Sequence, residues 1–404
     1  MQGNSEPLIL PEPFQPSPEL RLVAACSWLP NSGSAVSQHS AITFLTQSGL
    51  NWDDILSLVQ RHDIAGQFCM VMGKLGWPNV PQETSERLKN DRTAQAARTL
   101  GQVAELARVG ANFTEAGVAL IPLKGVTLSQ QLYGNPCIRN SCDLDILVKS
   151  EDVSRCDKLL TRLGYRHALG IHTMNERQQR HIIETTYHHE YVNDARGICI
   201  ELHWRSNRWT KEQVTALWTS SEPFPWLNCG LRRLSPEMTL LFLMDHGARH
   251  CWTSLKWLSD VAMLVDKLSE EGWNSLLRQA LFFDLQRVVA QTATLLQWFY
   301  AINVPQRIHE HAKADAIVRT IAKHAASRLL AAHNSGSFLE KKFPGISLAL
   351  LVKKLKPATP LPALLGGSLI TYDDFKDHPL PENLFWLYAF MRPFFWFNRH
   401  FMKR

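Results

Sequence analysis

Two short segments place acids where they can act together. In Asp143-Leu144-Asp145 two carboxylates stand two residues apart, and in Glu201-Leu202-His203 an acid and an imidazole repeat that spacing. Side chains alternate across a β-strand. Asp143 and Asp145 therefore share one face, with Leu144, Ile146 and Val148 on the other, and Glu201 and His203 share a face opposite Ile200, Leu202 and Trp204. Adjacent carboxylates repel unless something positive joins them. If the two strands are neighbours, Asp143, Asp145 and Glu201 converge, and Mg²⁺ suits them because it prefers oxygen ligands and keeps places for water and phosphate. Two such ions clamp both the entering and the leaving oxygen of an in-line displacement at phosphorus. A D-x-D strand is also common on solvated faces, so its context matters.

Upstream, Leu123-Lys124-Gly125 reads as a glycine turn between a strand and a helix. Glycine lets a backbone approach a ligand closely, and the free N–H groups at a helix N-terminus attract phosphate. Lys124 and Arg139 are cations suited to phosphate oxygens. Their plainer reading is surface charge, with Arg139 paired to a carboxylate. Asp260 lies among Trp252, Leu255, Trp257 and Leu258 in an apolar helical stretch and needs a partner if buried. We expect it to be structural, with a nucleotide contact as the alternative. The histidines contain no H-E-x-x-H. His246 and His250 are four apart on one helical face, but core or orienting histidines are the preferred reading over a zinc site. His203 is suited to orienting a carboxylate.

These residues need a sheet to hold them. VALIPL, CDLDILV, YHHEYV and GICIELHW read as strands, the last two joined as a hairpin through Asn193–Gly197. KGVTLSQQLYG reads as a turn into a short helix, and SEDVSRCDKLLTRLG as a helix capped by Ser150. The result is a small mixed sheet over residues 118–234. Before it, residues 1–40 are expected to be an irregular, proline-rich start, with the polar run NSGSAVSQHS interrupting a short apolar helix. Residues 41–117 form a helical region, with Asn51 capping one helix and a long helix at about 83–116. After the sheet, residues 235–350 are helical from the strong start Ser235-Pro236-Glu237, and residues 351–404 hold a linker at Pro357–Pro362 and an aromatic, basic tail. The tail is expected to dock on the protein's own helices or on a partner, with interfacial membrane anchoring as the alternative.

Composition narrows the function classes. A net charge of +6 suits anionic ligands but is too weak and too spread out for nucleic acid. The eight cysteines are scattered without C-x-x-C spacing, which reads as reduced thiols. No signal peptide and no run of apolar residues long enough to span a bilayer is evident, so a cytoplasmic location is expected.

Taken together, Leu123-Lys124-Gly125, Leu132-Tyr133, Arg139, Asp143–Val148 and Glu201-Leu202-His203-Trp204 resemble the uncharacterised nucleotidyltransferase family of the polymerase-β-like superfamily. His246, the Trp252–Asp260 stretch and the tail Leu387-Tyr388…Arg392-Pro393 extend the likeness over about residues 40–400. The resemblance implies an α+β fold, with a small mixed β-sheet nucleotidyltransferase core flanked by N-terminal and C-terminal helical regions. It implies that Asp143, Asp145 and Glu201 are catalytic and hold Mg²⁺, two ions in all, and that Lys124, Gly125 and Arg139 bind the nucleotide. The chain departs from the superfamily's usual Gly-Gly or Gly-Ser turn at Val126, which leaves Thr127 or Ser129 as the only substitutes for a phosphate-binding serine.

The expected activity is transfer of a nucleoside monophosphate from a nucleoside triphosphate such as ATP to an acceptor hydroxyl on a sugar, peptide, protein or small molecule, with release of pyrophosphate. A catalytically inactive nucleotide-binding or scaffolding relative is the alternative, and a metal-dependent phosphohydrolase a third possibility.

Overall fold

A computed structural model of the chain describes residues 14–30, 32–170, 174–205, 209–331, 370 and 372–397. It begins with five helices: α1 (Pro18–Ala25), α2 (Ser32–Thr46), α3 (Trp52–His62), α4 (Ala65–Lys74) and the long α5 (Gln82–Glu115). The sheet region follows as β1 (Ile121–Pro122), α6 (Val126–Tyr133), β2 (Asp143–Leu147), α7 (Val153–Arg162), β3 (Arg166–His167), α8 (Glu176–Thr185), β4 (His188–Asn193), β5 (Ile198–His203) and α9 (Lys211–Thr219). A short ribbon of β6 (Glu222–Pro223) and β7 (Arg232–Arg233) closes that region. Six helices come next, α10 (Pro236–Arg249), α11 (Leu255–Val265), α12 (Glu270–Phe282), α13 (Gln286–Tyr300), α14 (Gln306–Ala314) and α15 (Ala316–Leu330), with α16 (Tyr372–Asp377) and α17 (Leu387–Phe397) near the end. The fold is therefore mostly helical α+β, with helices before and after a small mixed sheet.

The starts of several helices follow from their capping residues. Asn51 accepts from the backbone N–H groups of Asp53 and Asp54, which also place negative charge at the positive end of α3. Ser235 accepts from the N–H of Met238, with Pro236 at the first helical position of α10. Two expectations change. The polar run NSGSAVSQHS supplies the first half of α2, because tertiary contacts outweigh its weak propensity: Gln38 donates to the carbonyls of Ala25 (2.6 Å) and Trp28 (3.0 Å). Ser150 is not a helix cap. Residues Ser150–Asp152 tighten into a 3-10 turn, and α7 begins at Val153 without a side-chain cap.

Contacts divide the chain into two compact units. The first joins Met1–Ala104, Lys124–Ser141 and Leu234–Ala358; the second joins Glu105–Leu123, Cys142–Arg233 and Thr359–Arg404. The first unit is helical. Its core includes Phe68, Met72, Trp252, Leu258, Leu296 and Phe299, all buried.

The second unit carries the five-stranded sheet, in the order β1-β2-β5-β4-β3. Only β2 and β5 run parallel; the other neighbouring pairs are antiparallel. The β4–β5 hairpin turns at Asn193–Gly197, where Gly197 takes φ 64° and donates its N–H to the Asn193 carbonyl. In this unit Phe375, Tyr388 and Phe395 of the tail bury themselves with Met174 and Ile182. The Tyr388 hydroxyl donates to the His378 carbonyl (2.8 Å) and accepts from the Leu380 N–H (2.9 Å) and Gln178 (3.1 Å). The tail thus docks on the protein itself, although Trp386, Phe390 and Phe394 stay exposed. The expected linker at Pro357–Pro362 lies outside the described residues. Among the described residues, no helix is long and apolar enough to cross a membrane.

Candidate metal centre

The centre is built on the parallel pair β2 and β5. Leu144, Ile146, Ile200 and Leu202 are buried on one face, which fixes the strands' register, because a slip of one residue would turn that apolar set to the opposite side. In that register Asp145 stands directly opposite Glu201, and Asp143 opposite Cys199. The Leu123 N–H donates to the Asp145 carbonyl (3.0 Å), tying the main chain at Asp145 to the segment after β1. On the far side of β5, His188 and Glu190 of β4 stand opposite His203 and Glu201.

One face of the sheet therefore carries Asp143, Asp145, Glu190 and Glu201 together with His188 and His203. Ligand atoms of Asp145, Glu201 and His203 all lie within 4.8 Å of one another. His203 Nε2 donates to Asp145 Oδ1 and to Glu201 Oε2, each at 3.2 Å. Burial works against a charged His203, but the hydrogen bonds and charges of Asp145 and Glu201 outweigh it and raise its pKa. His188 stacks on His203 with ring centroids 5.1 Å apart and shifts the other way, lowered by burial and then by the charge of His203. The negative character of this face reaches the Cys199 thiol. Its pKa is pushed up to about 12 by burial first, then by Glu190, Asp143 and Glu201.

Two carboxylates and an imidazole are oxygen and nitrogen donors of the kind divalent cations take, and atoms this close can all reach one ion at ordinary ligand distances of about 2.0–2.5 Å. Asp145 and Glu201 are the two sequence candidates that come together in this group. Asp143 is half-buried at the start of β2 on the same face but is not part of it. His203, absent from the sequence-derived ligand set, joins them. The signal that finds it is the same period-two alternation that pairs it with Glu201.

Lys124, Gly125 and Arg139 belong to the first unit. Gly125 precedes α6 with φ 69° and ψ −135°, a conformation that side-chain-bearing residues rarely adopt. The two hydroxyls considered as phosphate ligands are buried and engaged within the fold. Thr127 donates to the Lys124 carbonyl (2.8 Å); Ser129 donates to the Asn135 carbonyl (2.7 Å) and accepts from the Arg139 N–H (3.0 Å). The Arg139 side chain is also buried. Its Nε contacts both oxygens of Asp260, at 3.0 and 2.8 Å. Burial opposes the guanidinium charge, yet Asp260 beside it holds its pKa above the usual range. Asp260 thereby has the partner its burial demands.

No curated protein and no solved structure matches the chain. The family model described as uncharacterised nucleotidyltransferase matches residues 48–301, and the tail Leu387–Pro393 lies beyond that match. The match spans more than half of the 404 residues and includes both carboxylate strands, so this chain belongs to the uncharacterised nucleotidyltransferase family.

Proposed function

We propose that the chain transfers a nucleoside monophosphate from a nucleoside triphosphate to an acceptor hydroxyl, releasing pyrophosphate. The observation that carries this reading is the register of β2 and β5, which sets Asp145 against Glu201 with His203 between them. Asp145 and Glu201 would hold Mg²⁺, with Asp143 two residues before Asp145 as a further carboxylate for a second ion. Bound there, the metal supplies charge neutralisation at the phosphates and a lowered pKa at the attacking hydroxyl. The chain's own part is to fix the direction of the carboxylates. The sheet locks the Asp145 backbone, and the His203 N–H holds one oxygen of each acid, so the donor set is organised before substrate arrives. Glu201 is less buried than Asp145, which suits it to take the acceptor's proton.

The phosphate role of Lys124 and Gly125 rests on the sequence pattern and the family resemblance. Arg139, held by Asp260, is better suited to supporting the turn that precedes β2 than to meeting phosphate.

The test is to incubate the purified protein with each nucleoside triphosphate, Mg²⁺ and mixtures of candidate acceptors. Pyrophosphate release and an acceptor heavier by one nucleotide are the expected results. Free nucleoside monophosphate alone would reveal a phosphohydrolase.

A second reading is a nucleotide-binding protein without transfer activity. It is favoured by the two hydrogen bonds from His203, which already engage one oxygen each of Asp145 and Glu201. Under it, neither Mg²⁺ nor Mn²⁺ raises the melting temperature. Under transfer, both ions raise it in the native protein and not in Asp145→Asn.

A further inference from the structure

The second unit contains a cleft of about 1500 Å³ that includes none of the acids of the metal centre in its lining. It is bounded by the segment after β2, by α7, α8 and α9, and by Trp204 and Arg205 just past the end of β5. Trp204 is buried on the face of β5 opposite His203, and its indole N–H donates to the Ile183 carbonyl (3.0 Å).

Six cations line the cleft: Lys149, Lys158, Arg180, Arg205, Lys211 and Arg232. None of them forms an ion pair with a described carboxylate. Arg205 gives its guanidinium to main-chain carbonyls, at 3.0 and 2.7 Å to Thr186 and 2.9 Å to Glu184. Arg232 donates to Ser221 Oγ (2.8 Å) and to the Ser221 carbonyl. These hydrogen bonds orient two half-buried positive charges without neutralising them, and burial lowers the pKa of Arg205. A concave wall in which cations outnumber carboxylates concentrates anions.

Two further features select the kind of anion. Glu151, Glu176 and Glu184 also line the cleft. They would repel a bare phosphate or a polynucleotide backbone, but they are acceptors for hydroxyl hydrogens. The aromatic lining is uneven. Trp204 and Trp209 are buried, while Trp218 is half-buried, so a single indole is left to meet a ring. Single-stranded nucleic acid is held instead by several exposed aromatic platforms in succession.

We propose that this cleft binds a phosphorylated sugar. The phosphate lies among the lysines and arginines, the ring hydroxyls donate to the glutamates, and the sugar ring rests against Trp218. The site is distinct from the metal centre and does not depend on the transfer reaction.

Glucose 1-phosphate is a suitable probe, titrated by calorimetry in the presence of EDTA so that the metal centre takes no part. Native protein and Asp145→Asn should bind it with equal affinity, weakening as salt rises. The double variant Arg180→Glu, Lys211→Glu should lose at least tenfold in affinity. Both side chains are exposed, and an acid at the first position of α9 favours that helix, so the variant is expected to keep its native melting temperature. Trp218→Ala should also weaken binding, while inorganic phosphate and glucose should each bind at least tenfold more weakly than their conjugate. The proposal is overturned if glucose 1-phosphate does not bind saturably, if the charge reversal leaves its affinity unchanged, if inorganic phosphate binds equally well, or if a short single-stranded oligonucleotide binds more tightly.

Discussion

Two buried aspartates in this chain have opposite surroundings. Asp260, in the helical unit, is fully enclosed and has both oxygens on the Arg139 guanidinium. Asp145, in the sheet unit, is nearly as buried at 3 % exposure, but across the parallel pair it meets Glu201, a second acid, with His203 shared between them. An aspartate supplied with its own guanidinium has its charge answered by the fold. An acid set against another acid gathers negative charge at one place, which suits it to a cation. Burial alone therefore does not separate these two settings; the identity of the neighbour does.

Substitutions can break this contrast. Removing one partner of a buried pair leaves the other uncompensated, so Arg139→Ala should cost about 3–5 kcal/mol of stability in denaturant unfolding. The double variant Arg139→Met, Asp260→Leu should be less damaging than Arg139→Ala. A stable Arg139→Ala protein with impaired nucleotide binding would instead place Arg139 at the phosphates. Asp145→Asn should do the reverse. It should lower pyrophosphate release by roughly 10²–10³-fold, on the scale of losing one well-placed electrostatic group, with the circular-dichroism melting curve little changed. Unimpaired turnover in Asp145→Asn would remove this acid from the mechanism.

A third kind of buried titratable group sharpens the comparison. His62, fully enclosed at the end of α3, accepts from the Leu255 N–H (3.2 Å), and among the described residues no acid pairs with it. Burial and then the charge of Arg61 lower its pKa from 6.5 to about 3. Below pH 6.5 the unfolded chain takes up a proton there that the folded chain refuses, so stability is full above that pH and declines as pH falls towards 3. At pH 5 the loss from this residue is about 2 kcal/mol, and His62→Gln should flatten the acid limb of a Tm-against-pH curve. The smallest effect is expected from Lys124→Ala, with KM for the triphosphate rising about tenfold, equivalent to about 1.4 kcal/mol, and melting unchanged. An unaltered KM would leave the turn without a nucleotide role.

Much of the sheet is legible in the sequence because its two central strands alternate, β5 throughout and β2 over Asp143–Ile146. In both Asp143–Leu147 and Ile198–His203 the apolar positions fix which face the acids occupy. That alternation also puts His203 beside Glu201. The order of the strands is not legible, since nothing local states that β5 inserts between β2 and β4. β3 has only two residues, too few to show a period. α8 reads ERQQRHIIET and buries only Gln178 and Ile182, so its apolar stripe is too thin to announce a helix; its start depends on Asn175 and Gln178 capping each other. The serine-rich start of α2 and the 3-10 turn at Ser150 are settled by tertiary contacts and local geometry. The same limit applies to Arg139 and Asp260, far apart in sequence, whose types suggest partners without saying which. The cleft is not legible in the sequence, because its lysines, arginines and tryptophans are spread over many elements and share no spacing.

Because β5 is the parallel neighbour of β2, with α7, β3, α8 and β4 lying between them in the chain, Asp145 and Glu201 come from opposite ends of that insertion. During synthesis the first acid leaves the ribosome well before the second, and the pair exists only once the intervening chain has been made and its ends have closed. On the proposed reading, a nascent chain stopped before β5 could not gather the cation, and neither could a fragment cut within the insertion if its halves separate. On that reading, the site is complete only when the sheet is.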